Sequence, residues 1–159
     1  MSTRIAAILA RGEKIMFKKI LVPIDVDYPK TAATVYQKAA TIGKPGGAEI
    51  RLVSVMPGFG MPIVAAHIPD EVHKQTAQKF KDALEAFVKA NCDESVSYTV
   101  ATGKSWEEII KAADDWGADL IVVYHNRRDP INEAFSSSCS QRVADRANCS
   151  VLRLRNIRN

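Results

Sequence analysis

Short, almost uninterrupted apolar runs alternate along this chain with longer segments of helical periodicity. Residues 19–24 and 119–124 consist mainly of aliphatic side chains, which is typical of strands covered on both faces. Comparable patterns predict further strands at 49–55, 95–102 and 150–155. Helices are predicted at 31–42, from Asp70 onward, at 105–116 and at 137–147. Alternation of this kind predicts a parallel sheet with helices on both faces.

Three local features set the expected boundaries of these elements. Pro23 lacks a backbone donor, so it should lie at the end of the first strand. Asp70 is expected to cap the long helix. Ser105 and Glu108 have the spacing of a capping box. Residues 56–68 contain several glycines and prolines and are predicted to form a long apolar loop.

The length of 159 residues and the hydrophobic content of 47% fit one globular domain. We assign this domain to residues 16–159. Residues 1–15 are predicted to be an extension that is disordered or precedes the natural start at Met16. Their apolar stretch is too short for the core of a signal peptide.

Charge and cysteine content exclude several classes of function. The net charge of +4 is not arranged as a basic stripe with interleaved aromatic residues, so we expect no nucleic-acid partner. No apolar run reaches the roughly 18 residues that a membrane span needs. Cys92, Cys139 and Cys149 have no metal-binding or disulfide spacing, which favours a reducing cytoplasm and no metal site. A redox role for Cys92 or Cys139 is the weaker alternative.

Four segments in a fixed order carry a family resemblance. They are residues 20–25 (ILVPID), 103–109 (GKSWEEI), 118–123 (ADLIVV) and 148–152 (NCSVL). Together they resemble the universal stress protein family over about residues 16–155. The resemblance implies an open five-stranded parallel sheet of order 3-2-1-4-5, the adenine nucleotide hydrolase-like fold. It also implies a homodimer, formed through the last strand from Ser150 to Arg155.

The nucleotide motif of that family is altered in this chain. Members that bind ATP carry Gly-x2-Gly-x9-Gly-Ser/Thr after the fourth strand, where backbone amides approach the phosphates. By ungapped alignment the three glycines become Tyr124, Arg127 and Ser137, while the final hydroxyl is kept as Ser138.

Two interpretations of the altered loop compete. Arg127 and Arg128 can pair with phosphate oxygens, and Ser136, Ser137 and Ser138 offer hydroxyls at a helix start. Alternatively, the serines only cap the helix and the arginines lie in a solvated loop.

The adenosine half of the family site is better kept than the phosphate half. Asp25 matches the aspartate that hydrogen-bonds the adenosine end of the ligand. Val55 corresponds to the residue whose backbone meets adenine, with its side chain in the core. The resemblance therefore implies binding of ATP or another adenine nucleotide, with Mg²⁺ if the ligand is ATP.

Catalysis has little support in the sequence. His67, His73 and His125 belong to no catalytic motif, and His125 is expected to be solvated in a polar loop. We therefore predict a cytoplasmic, homodimeric stress-response module without enzymatic activity, which binds an adenine nucleotide through altered phosphate contacts. The alternative is a member that binds no nucleotide and acts through an unidentified protein partner, with Tyr124 filling the vacated pocket.

Overall fold

The computed structural model describes residues 16–58, 66–125 and 136–155. The described strands are β1 (Lys19–Pro23), β2 (Glu49–Pro57), β3 (Ser97–Gly103), β4 (Leu120–His125) and β5 (Ser150–Arg155). The described α-helices are α1 (Pro29–Gly43), α2 (Asp70–Asn91), α3 (Ser105–Trp116) and α4 (Ser137–Arg146). A single 3-10 turn, Lys44–Gly46, follows α1. Within these ranges no helix combines the length and apolarity that a membrane span requires.

The five strands form one parallel sheet in the order β3-β2-β1-β4-β5. The predicted fold class and strand order are therefore confirmed. The order reverses between β1 and β4, because β1 leads to β2 on one side while β4 lies on the other. In open parallel sheets, ligands bind beyond the carboxyl ends of the strands at such a switch point.

The sheet is covered on both faces by separate apolar clusters. Ile20 and Val22 of β1 pack on the face that carries α1 and α2, and Leu21 packs on the face that carries α3 and α4. All three side chains have an exposed fraction of 0%. This double burial explains why the first strand is an almost continuous apolar run.

Strand pairing moves one predicted boundary, the end of β2, and confirms the position of Pro23. Met56 and Pro57 belong to β2, where they pair with Thr102 and Gly103 of β3, and not to the predicted loop. Residues 59–65 of that loop lie outside the described residues. Pro23 is the last residue of β1, as expected for a residue without a backbone donor.

Helix caps differ from the sequence prediction in two of three cases. Pro69, not Asp70, occupies the cap position of α2, and no side chain caps this helix. Lys104 occupies the cap position of α3, so Ser105 is its first helical residue and the predicted capping box is wrong. Ser136 does cap α4, since its hydroxyl accepts a hydrogen bond from the Cys139 N–H at 3.1 Å.

The apolar side chains of α2 are buried only near the end of the helix. Leu84, Phe87 and Val88 are buried, whereas Val72 in the first turn is 45% exposed. The early part of α2 therefore contributes little to the core.

A carboxylate joins the amino end of β1 to that of β4. Asp119 precedes β4, and its two oxygens accept hydrogen bonds from the backbone N–H groups of Lys18 (2.7 Å) and Lys19 (2.9 Å). The Asp119 N–H in turn donates to the Lys19 carbonyl at 3.0 Å. Among the described residues of β1, only Ile20 and Leu21 pair with β4 in the sheet. The hydrogen bonds of Asp119 therefore lengthen a short contact between the two strands.

We expect Asp119→Ala to lower the free energy of unfolding by about 1.5–3 kcal/mol, because it removes two hydrogen bonds to an ionised acceptor. Urea unfolding should show a lower midpoint with an unchanged slope. Asp115→Ala is the matched control, since Asp115 is exposed on α3 and its side chain accepts no hydrogen bond from the described residues. Equal midpoints for the two variants would contradict this role of Asp119.

Candidate functional site

Three of the residues predicted to bind a ligand lie at the carboxyl ends of three neighbouring strands. Asp25 follows β1, Val55 lies near the end of β2, and Tyr124 lies near the end of β4. Ser136 begins the helix that leads away from β4. The fold thus brings these positions to the edge that contains the switch point. Arg127 and Arg128 lie outside the described residues.

Hydrogen bonds fix the backbone on both sides of Asp25. The Ile24 N–H donates to the Val53 carbonyl at 2.9 Å, and the buried Ser54 hydroxyl donates to the Ile24 carbonyl at 2.9 Å. Asp25 Oδ1 accepts the Asp27 N–H at 2.9 Å, which closes a tight turn before α1. The carboxylate is therefore held at the rim of the sheet in a defined orientation.

Val55 has the role that the sequence predicts for its side chain. It is 8% exposed and packs in the cluster on the α3–α4 face together with Ile109. Its side chain is core, so any contact with a ligand at this position would come from the backbone.

Tyr124 points toward the other face. Its partly buried ring packs against the cluster beneath α1 and α2. A glycine at this position would leave the space beside the end of β4 open, and the tyrosine fills part of it with an aromatic ring.

The three serines at the start of α4 have different roles. Ser136 caps the helix, and its hydroxyl lies 3.2 Å from that of Ser138. Ser137 supplies a backbone carbonyl to the Ser140 hydroxyl at 3.2 Å, while its own side chain is exposed. The helix-capping interpretation is confirmed for Ser136.

A groove of about 280 Å³ opens between the first turns of α3 and α4. Its walls are Lys104, Ser105 and Trp106 from one helix and Ser136, Ser138, Cys139 and Arg142 from the other. Of this set, only Ser136 and Ser138 were predicted to bind a ligand. Lys104, Ser105 and Trp106 belong to the segment 103–109 that carries the family resemblance, and the resemblance implied no ligand contact for them.

His125 is buried, which corrects the prediction that it lies solvated in a loop. It is the last residue of β4 and is 5% exposed. In the strand alternation it follows Ile121 and Val123, which both point to the α3–α4 face. Extending this two-residue period by one step would have predicted its burial.

The surroundings of Cys92 and Cys149 disfavour redox chemistry at these two thiols. All three are free thiols. Burial, followed by the nearby charge of Asp93, raises the pKa of Cys92 to about 11, and burial also raises the pKa of Cys149. A thiol with a raised pKa holds little thiolate at neutral pH and is a poor sensor.

Comparison with known proteins gives one family match. The model of the universal stress protein family matches residues 16–155. Among curated proteins, none matches the chain significantly.

Solved structures of similar fold cover most of the chain. UspA from Lactobacillus plantarum is 23% identical, with a TM-score of 0.65, over 87% of this chain and 97% of its own. A family protein from Burkholderia pseudomallei is 20% identical, with a TM-score of 0.60, over 89% and 98%. A universal stress protein in complex with cAMP is 17% identical, with a TM-score of 0.57, over 89% and 98%.

We expect Ser136→Ala to lower the free energy of unfolding by about 1 kcal/mol, because the Cys139 N–H at the start of α4 loses its acceptor. Thermal or urea unfolding measures the loss. Ser137→Ala is the matched control and should change stability by less than about 0.5 kcal/mol. If both variants unfold alike, the capping role of Ser136 is wrong.

Proposed function

Because the chain belongs to the universal stress protein family, we propose that it is a cytoplasmic regulatory module that binds an adenine nucleotide and does not act as an enzyme. The nucleotide would lie at the carboxyl edge of the sheet, over the switch point between β1 and β4. ATP and AMP are the candidate ligands, with Mg²⁺ accompanying ATP. The three free thiols are consistent with a reducing compartment.

One observation supports the proposal more than any other. An oriented carboxylate follows β1, a capped helix follows β4 in the chain, and these two strands border the switch point. Asp25 follows β1 and offers an acceptor suited to the hydroxyls of a ribose. The amino end of α4, which follows β4, offers N–H groups and the positive end of a helix dipole to an anion. A nucleoside phosphate has both of these features.

The known ligand of a similar protein supports the same ligand class. One solved universal stress protein was obtained in complex with cAMP, and cAMP is an adenosine phosphate. That protein and this chain share the same fold, with a TM-score of 0.57.

The second candidate function is a protein-contact module without nucleotide. The residue that favours it is Tyr124, whose ring packs beside the end of β4 where ATP-binding members have glycine. Such a module would act through an unidentified protein partner. ATP binding distinguishes the two candidates directly.

We expect the protein to bind ATP weakly, and Asp25→Ala to weaken binding about tenfold, because one hydrogen bond to an ionised acceptor is lost. Isothermal titration calorimetry measures both affinities. Asp27→Ala is the matched control, since Asp27 is an exposed aspartate two residues away whose backbone N–H remains. Steady-state assays should find no ATP turnover above that of the Asp25→Ala protein.

Absence of binding at millimolar ATP would contradict the nucleotide proposal and favour the protein-contact module. Turnover that disappears in the Asp25→Ala protein would instead indicate an enzyme.

We further propose that two copies associate through β5. This strand pairs with β4 on one side only, so among the described residues its second edge has no partner. Leu152 is 36% exposed there. An open edge with an exposed leucine favours pairing with another strand. Arg153 is held against α4 by bonds to Gln141 (2.6 Å) and Ser140 (3.0 Å), which keeps its charge off the edge.

We expect Leu152→Asp to convert a dimer to a monomer, because it places a charge in the proposed interface. Sedimentation velocity over a dilution series measures the mass. Val72→Asp is the matched control, as Val72 is a similarly exposed aliphatic residue on α2. A wild-type monomer, or a dimer that persists in the Leu152→Asp protein, would contradict the interface.

A further inference from the structure

Ser54 is a polar side chain in the apolar interior of β2. It is 1% exposed. Its neighbours Val53 and Val55 pack on the face that carries α3 and α4, whereas Leu52 packs on the face that carries α1 and α2. Since side chains alternate along a strand, Ser54 shares the face of Leu52. A hydroxyl in such a place needs a specific partner to offset the cost of its burial.

The partner of Ser54 is a backbone carbonyl of the neighbouring strand segment. Ser54 Oγ donates a hydrogen bond to the Ile24 carbonyl oxygen at 2.9 Å. Ile24 is itself 1% exposed, so water is poorly placed to replace this donor. The bond therefore joins β2 firmly to the residue that immediately precedes Asp25.

The end of β1 depends on β2 because β4 does not support it. Among the described residues, β1 pairs with β4 only at Ile20 and Leu21, whereas it pairs with β2 as far as Pro23. Beyond Pro23, the Ile24 N–H donates to the Val53 carbonyl at 2.9 Å. The Ser54 hydroxyl supplies the second hydrogen bond between Ile24 and β2, beyond the point where pairing with β4 has ended.

Ser54 also lies between the two positions of the proposed adenosine site. Asp25 directly follows Ile24, and Val55 directly follows Ser54. The bond between Ile24 and Ser54 therefore fixes the separation of the Asp25 and Val55 backbones. A ligand that contacts both positions binds more tightly when this separation is already fixed, because less ordering is left to the binding step.

We propose that Ser54 is the positioning residue for the adenosine end of the site. It acts through the Ile24 carbonyl and not by contact with the ligand. This role rests on the proposed function, in which Asp25 meets the ribose and the Val55 backbone meets adenine. It also gives the buried hydroxyl a purpose that packing alone does not provide.

Calorimetric titration of the intact protein with adenosine and with ATP tests this role. We expect Ser54→Ala to weaken both ligands by the same factor, about fivefold, because Ser54 orders the part of the site that both ligands share. Ser54→Thr keeps the hydroxyl and should bring both affinities back to within about twofold of the wild-type values.

Val88→Ala is the matched control for a general loss of stability. Val88 is buried in the apolar cluster beneath α1 and α2, as is Leu52 beside Ser54. It lies near the end of α2, which leads to the amino end of β3 and so to the opposite edge of the sheet. This variant should bind adenosine and ATP as the wild type does.

Amide hydrogen exchange in the ligand-free protein gives a second measurement, which needs no nucleotide. The Asp27 N–H reports on the Asp25 carboxylate, to which it donates at 2.9 Å. We expect Ser54→Ala to speed exchange at Ile24 and Asp27 about fivefold relative to the Val122 amide in the centre of the sheet. Neither Ser54→Thr nor Val88→Ala should change this ratio.

The outcomes separate Ser54 from the proposed function. If the wild type binds both ligands and Ser54→Ala binds them equally well, the positioning role is overturned and the nucleotide proposal is kept. Equal losses in the Ser54→Ala and Val88→Ala proteins would also overturn the role. If the wild type binds neither ligand, the proposed function fails and exchange at Asp27 decides alone. Faster exchange in Ser54→Ala would then keep Ser54 as the residue that positions Asp25, and unchanged exchange would overturn it.

Discussion

Burial of β1 on both faces is the constraint on which the rest of this structure depends. Ile20, Leu21 and Val22 are fully buried, with neighbours from two helical layers and from β2 and β4. A strand so placed has no polar face, and each large aliphatic side chain removed from water stabilises the fold by about 1.5–3 kcal/mol. Asp119 supports this strand at its amino end through two backbone bonds.

The candidate site lies just beyond the carboxyl end of β1, where the chain is no longer buried on both faces. Beyond Pro23 the chain leaves the sheet, and polar groups take over within two residues, with Ser54 binding the Ile24 carbonyl and Asp25 closing the next turn. The strand order places the ends of β1 and β4 side by side at that edge. The strand order that buries β1 in the core therefore also determines where the candidate site lies.

The two helices on one face determine the chemistry that this edge can offer. Since α3 and α4 both begin at the carboxyl edge, they bring Lys104 and Arg142 to one groove, and Trp106 fixes the arginine there.

Local pattern in the sequence was sufficient for most of the fold. Aliphatic runs and helical periodicity located the strands and helices to within a few residues, because these periods reflect burial on one or two faces of each element. The strand order came from the family resemblance of four short segments, not from any single pattern. Asp25 was predicted as a site residue from the same resemblance, at the position just after the predicted first strand, residues 19–24.

Tertiary packing decided what local pattern could not. Ser105 has the spacing of a helix cap, yet it lies in the first turn of α3 as a buried residue, and His125 is buried although it borders a polar segment. Residues 104–106 and residue 142 are far apart in sequence and become neighbours only when α3 and α4 pack on the same face of the sheet. Sequence by itself determined which segments are strands and helices, because burial is periodic along the chain. Only the tertiary structure decided which polar side chains share a groove, because that depends on contacts between elements that no local period records.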